Sequence, residues 1–164
     1  MQVRIREPGR VMYEGEFRTH FPNTSLPQQM SEALINELGA DVVFEGPQAS
    51  GGTVYQYSQA AGVEQIEGKW YTKYILGPVF TDTPAIGGQP AKTAAENEAA
   101  YKAIKDAEQA KSVRANRDAK LAETDWRYRR DQTTTPEWDA YCQALRDIPS
   151  QAGFPWTVTW PDKP

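Results

Sequence analysis

Between Lys92 and Glu123 the chain runs without a glycine or proline, in a stretch dominated by Ala, Glu, Lys, Asp and Gln. Most of these residues are strong helix formers, so the stretch predicts one helix of about 30 residues, about 45 Å long. Its large apolar side chains are few: Tyr101, Ile104, Val113 and Leu121. They are too sparse to form a core, so the helix needs a partner to pack against. Glu98 and Lys102 are placed for an i,i+4 ion pair on its surface. The narrow alanine face also suits close approach to a second copy, as a homo-oligomer joined through the long helix, although the heptad is not clean.

Thr83-Pro84 and Ile86-Gly87-Gly88-Gln89-Pro90 have the composition of a linker. The expected organisation is an N-terminal α+β domain over 1–84, a linker over 85–91 and a helical C-terminal domain over 92–164. In the first domain, Val3 and Ile5 alternate with Arg4 and Arg6 as in a short half-buried strand, with Val11 to Phe17 as its pairing partner. Ser25-Leu26-Pro27 reads as a helix start, Met30, Leu34 and Leu38 as its apolar face, and Gly39 as its stop. Asp41 to Phe44 is a further strand. Val63 to Ile66 and Lys69 to Leu76 form a hairpin through Glu67-Gly68, with Trp70, Thr72, Tyr74 and Leu76 on one face. A small antiparallel sheet backed by a helix is the natural assembly.

In the C-terminal part, Thr135-Pro136-Glu137 makes a good helix start. Trp138, Tyr141, Leu145 and Ile148 then follow at spacings of three, four and three, one apolar stripe stopped by Pro149. Phe154, Trp156, Val158 and Trp160 alternate with polar residues, which predicts a strand or extended hook stiffened by Pro155 and Pro161.

Three motifs in this part occur in fixed order: Thr124-Asp125-Trp126, then Trp138 to Ile148, then Gly153-Phe154-Pro155-Trp156-Thr157-Val158-Thr159-Trp160-Pro161. Together they resemble the C-terminal segment of the tail assembly chaperones of tailed bacteriophages. Phe21 to Pro27 and Leu38 to Phe44 resemble stretches of the same proteins, less specifically. The loop between Trp126 and Trp138 departs from the family pattern, being rich in Arg and Thr. So does Cys142, at a position usually occupied by arginine, which suggests a site on the helix rim.

The resemblance implies a non-enzymatic tail protein that assists the folding, trimerisation or attachment of tail fibres. Its partner would be a tail-fibre or baseplate protein. The competing expectation is a structural component retained in the virion, such as a baseplate or fibre-attachment protein. Either would be made in the host cytoplasm. Physically, an assembly helper covers apolar or strand-edge surface on an immature partner until that surface is paired.

No catalytic, metal or cofactor site is expected. Gly51-Gly52 and Gly87-Gly88 lack the spacing and lysine of phosphate loops. His20 is the one histidine and Cys142 the one cysteine, with nothing local to join them as a nucleophile pair. A net charge of −4 gives no overall case for nucleic acid or an anionic membrane, and no apolar run reaches the length of a membrane span. Trp126-Arg127-Tyr128-Arg129-Arg130, enlarged by Arg114, Arg117 and Lys120, could stack bases. The favoured reading packs Trp126 on the second C-terminal helix and pairs the arginines with Asp125 and Asp131. The expected partner-binding residues are therefore Trp126, Arg127, Arg129, Phe154, Trp156 and Trp160, with Trp156 and Trp160 pointing outward. A rim Cys142 could also form an intermolecular disulfide.

Overall fold

The computed structural model describes residues 1–129 and 132–164, so Arg130, Asp131 and the expected ion pairs that involve them lie outside the described residues. The chain divides into two compact units, Met1–Val79 and Phe80–Pro164.

The first unit is an α+β sheet of five strands: β1 (Gln2–Ile5), β2 (Val11–Tyr13), β3 (Ala40–Phe44), β4 (Tyr57–Ile66) and β5 (Lys69–Gly77). Their order is β2-β1-β3-β5-β4. All pairs are antiparallel except β3 with β5, which run parallel and place Val43 beside Trp70. The sheet is thus not purely antiparallel, because the β4–β5 hairpin returns to β3 by its second arm. Glu67 and Gly68 close that hairpin with positive φ values of 49° and 81°, the left-handed pair that a two-residue turn requires.

Two short helices cover one face. The strand expected to continue through Phe17 ends at Tyr13, and helix α1 (Glu14–Arg18) follows. Helical geometry drops Phe17 fully into the core, edge-on to Phe21 at 5.1 Å. Helix α2 (Glu32–Glu37) is capped six residues after Ser25, by Ser31, whose hydroxyl accepts from the Leu34 N–H at 3.2 Å. Val3, Met12, Met30, Ile35 and Ala40 complete this core. On the opposite face, Arg4 lies over the Trp70 ring at 4.0 Å and Asp41 stands 3.8 Å from its guanidinium.

In the second unit, residues 80–93 lead into α3 (Ala94–Ala122), the long helix, 29 residues in length. Thr93 and Glu96 form a reciprocal cap: the Glu96 N–H donates to Thr93 Oγ1 at 3.3 Å, and the Thr93 N–H donates to Glu96 Oε2 at 2.7 Å. Asp82 accepts from the Ala94 N–H at 2.7 Å, and Phe80 stacks on Tyr101 at 5.4 Å. The segment expected as a linker is a turn in which Ile86 and Gln89 exchange backbone bonds. The Glu98–Lys102 pair closes at 2.7 Å. Helix α4 (Pro136–Asp147) follows a 3-10 turn at Asp125–Tyr128, and a second such turn at Ile148–Ser150 ends it.

Candidate functional site

The long helix finds a partner inside its own unit. Val113 of α3 packs with Trp138, Tyr141, Cys142, Leu145 and Ile148, so the predicted stripe of α4 is the buried stripe. Leu121, Phe154, Val158 and Trp160 close around this cluster. Trp138 and Tyr141 meet edge to face at 5.8 Å.

Cys142 corrects the rim expectation. It is 0% exposed, and its Sγ lies 3.4 Å from Thr124 Oγ1, which itself donates to the Leu121 carbonyl at 2.6 Å. The reason is helical spacing: position 142 is four residues after Trp138 and three before Leu145, which widens the buried stripe to include it. A thiol there is closed to a partner unless α4 lifts from α3. Thr124, buried against it, was not singled out by sequence reasoning, although the Thr-Asp-Trp motif contains it.

The hook is not a strand. Residues 151–157 make successive turns, with the Phe154 N–H donating to Gln151 O at 3.0 Å and the Thr157 N–H to Gly153 O at 2.7 Å. A Cβ on Gly153 would lie 2.2 Å from the Thr157 carbonyl oxygen, so only glycine fits this turn. Phe154, Trp156, Val158 and Trp160 are all half-buried, with Trp156 held on α3 by its Nε1–H donating to Asp106 Oδ1 at 2.5 Å. Gln109 Nε2 donates to the Pro155 carbonyl at 3.4 Å. Arg114 covers Phe154 at 5.2 Å and Lys120 covers Trp160 at 5.6 Å, while Arg117 pairs with Asp118 at 2.6 Å. The bases expected to enlarge a nucleic-acid patch are thus engaged with the hook or with a neighbouring acid. Lys163 bonds Glu123 at 2.9 Å and holds that carboxyl below the usual carboxylate range. Trp156 and Trp160 were expected to point outward; folding back onto α3 instead gives their rings a surface to cover.

Among the described aromatic residues of this unit, those left exposed lie on the turn after α3. Trp126 and Tyr128 are each 46% exposed, and Arg129 is exposed. Arg127 is wedged between two rings, 4.4 Å from Trp126 and 3.7 Å from Trp138. Arg127 thus links the Trp126 ring to Trp138 of α4. The Tyr128 hydroxyl donates to Asp139 Oδ1 at 3.1 Å. Hydrogen bonding to the Cys142 thiol, then burial, then the Asp139 carboxylate raise its phenol above the ordinary range, so it stays a neutral donor. Of the six expected contact residues, the structure groups Trp126, Arg127 and Arg129 on one exposed turn and Phe154, Trp156 and Trp160 on the α3 face.

Among the described residues no group of three or more His, Cys, Asp and Glu is placed to hold a metal ion, and no helix is long and apolar enough to cross a membrane. His20 is exposed in the first unit. Fold and site together define a helical hairpin closed by an aromatic hook, with an aromatic and basic turn left on its surface. Residues 110–164, which hold most of this hairpin, match the model of the phage tail assembly chaperone protein family. The match bears out the resemblance drawn from the same motifs. No curated protein and no solved structure matches the chain.

Proposed function

We propose that this chain is a non-enzymatic assembly helper that binds an immature tail-fibre or baseplate protein in the host cytoplasm through the Trp126–Arg129 turn. The observation that carries the reading is which aromatic rings of the second unit stay exposed. The hook rings and the α4 stripe pack on the chain itself, whereas Trp126 and Tyr128 remain 46% exposed on a turn braced by Arg127. Rigid aromatics beside an arginine are what anchor protein interfaces, because they bury large areas with little entropy to lose. Phe154, Trp156 and Trp160 then act indirectly, by holding α3 and α4 in the arrangement that presents the turn.

The test is co-expression with the phage's tail-fibre and baseplate proteins, followed by pull-down. Trp126→Ala and Arg129→Ala should each weaken capture, with Trp126→Ala losing about 2 kcal/mol, roughly thirtyfold. Thermal unfolding of the variants should match that of the parent. Undiminished capture by both would rule this surface out. The protein in fixed stoichiometry in purified virions would make it a permanent component instead of a helper.

A further inference from the structure

The five-stranded sheet has two ends, and the chain treats them differently. At one end, β2 is three residues long and passes directly into α1, whose Glu14 N–H donates to the Met1 carbonyl at 3.1 Å. A short edge closed by a helix offers little backbone to another chain. At the other end, β4 runs for ten residues and pairs with β5 alone. It contains neither lysine nor proline, the residues that commonly blunt an edge.

The turn determines which backbone groups β4 offers. Ile66 and Lys69 flank the two-residue turn, and Glu64 sits opposite Tyr71. In such a hairpin those are the pairs that exchange hydrogen bonds, while the intervening residues direct their polar groups away from the partner strand. Val63 and Gln65 therefore turn their N–H and C=O groups outward. Tyr57 and Ile66, 55% and 40% exposed, supply apolar side chains along the same strand. From 57 to 68 the charged residues are Glu64 and Glu67, both acidic.

We propose that the outer edge of β4 takes an extended, basic segment of another polypeptide as an added strand, paired through Val63 and Gln65. Outward-facing backbone donors and acceptors are satisfied by a strand and not by a helix, whose own groups are already used. An edge carrying acids alone favours lysine or arginine on the side facing Glu64. A second copy of this chain fits poorly. It would bring the same acids, and the register break between Ala60 and Val63 in each strand would interrupt the ladder at its middle. This site goes beyond the Trp126 surface and stands or falls separately from it.

The experiment uses the full chain, labelled for amide exchange by NMR, and a short blocked peptide of alternating lysine and valine. Binding should slow exchange at Val63 and Gln65 by about tenfold or more, and a glutamate–valine peptide should bind about tenfold more weakly. The lysine–valine peptide N-methylated at every residue should not bind, since neither of its edges then keeps a backbone donor. Gln65→Pro removes an outward N–H that β5 does not use, so it should lose the protection while circular dichroism stays unchanged. Trp126→Ala should leave the titration as it is. Unaltered exchange at Val63 and Gln65 under saturating peptide, equal binding of the glutamate peptide, or full binding of the N-methylated one each overturns the proposal. So does a homodimer of the free chain in which those two amides are already protected. If Gln65→Pro fails to fold, the N-methylated peptide decides alone.

Discussion

The side-chain amide of Gln151 grips the backbone of Thr159 at both ends: its Nε2 donates to the Thr159 carbonyl at 2.9 Å, and the Thr159 N–H donates to its Oε1 at 2.7 Å. One side chain thus does for the hook what a neighbouring strand would do. Gln151→Ala should leave both Thr159 groups to water and cost about 1–2 kcal/mol in stability. Gln151→Glu keeps the acceptor and loses the donor, so it should fall between the two. Denaturant midpoints of the three proteins check this, and identical midpoints would sink it.

Leu145 is fully buried between α3 and α4, and Leu145→Ala should destabilise the second unit by about 2–5 kcal/mol. Trp156→Ala should also lower its stability, since it strips the hook from Asp106. Trp126→Ala, at an exposed position, should stay within about 0.5 kcal/mol of the parent. Chemical unfolding followed by tryptophan fluorescence separates these outcomes. An effect of Trp126→Ala as large as that of Leu145→Ala would contradict the assignment of which rings are internal.

The native protein should resist thiol reagents. With Cys142 fully buried against Thr124, modification requires α4 to open, so labelling should track unfolding and accelerate in denaturant. Reaction of the folded chain as fast as that of a free thiol would show the packing to be wrong.

Acid should loosen the start of α3. The Thr93 backbone N–H, then its hydroxyl, hold the Glu96 carboxyl below the usual carboxylate range. A depressed folded value means that the cap contributes stability above the ordinary carboxylate pKa of about 4.3, and that this is lost as pH falls through the lower folded value. Helicity of the parent should drop over that window. Glu96→Gln, which has no charge to titrate, should show a smaller change there.

Much of this architecture was legible because it rests on local chemistry. A run without Gly or Pro could only be a long helix, Glu67-Gly68 announced the hairpin, and the stripe from Trp138 to Ile148 became the face of α4 that is buried. What escaped depended on bonds and packing that the period of the apolar residues does not encode. The alternation from Phe154 to Trp160 has the period of a strand, yet Gln151, Gly153 and Asp106 bend it into turns against α3. Cys142 looked like a rim residue because the family pattern resembled here usually carries arginine at that position, whereas the packing of α4 on α3 buries it. Phe17 was read into a strand by the apolar positions from Val11 onward, and the helix that buries it has only five residues to signal its presence.

The bond from Trp156 to Asp106 joins residues 50 positions apart, and it also sets a clock. At synthesis rates of about 5–20 residues per second, Trp156 is added about 3–10 seconds after Asp106. For most of that interval the middle of the long helix lacks α4, which is complete only at Asp147, and for all of it the hook. The face of α3 that the hook later covers is uncovered until then, so the turn that α3 and α4 present together is completed only late in synthesis.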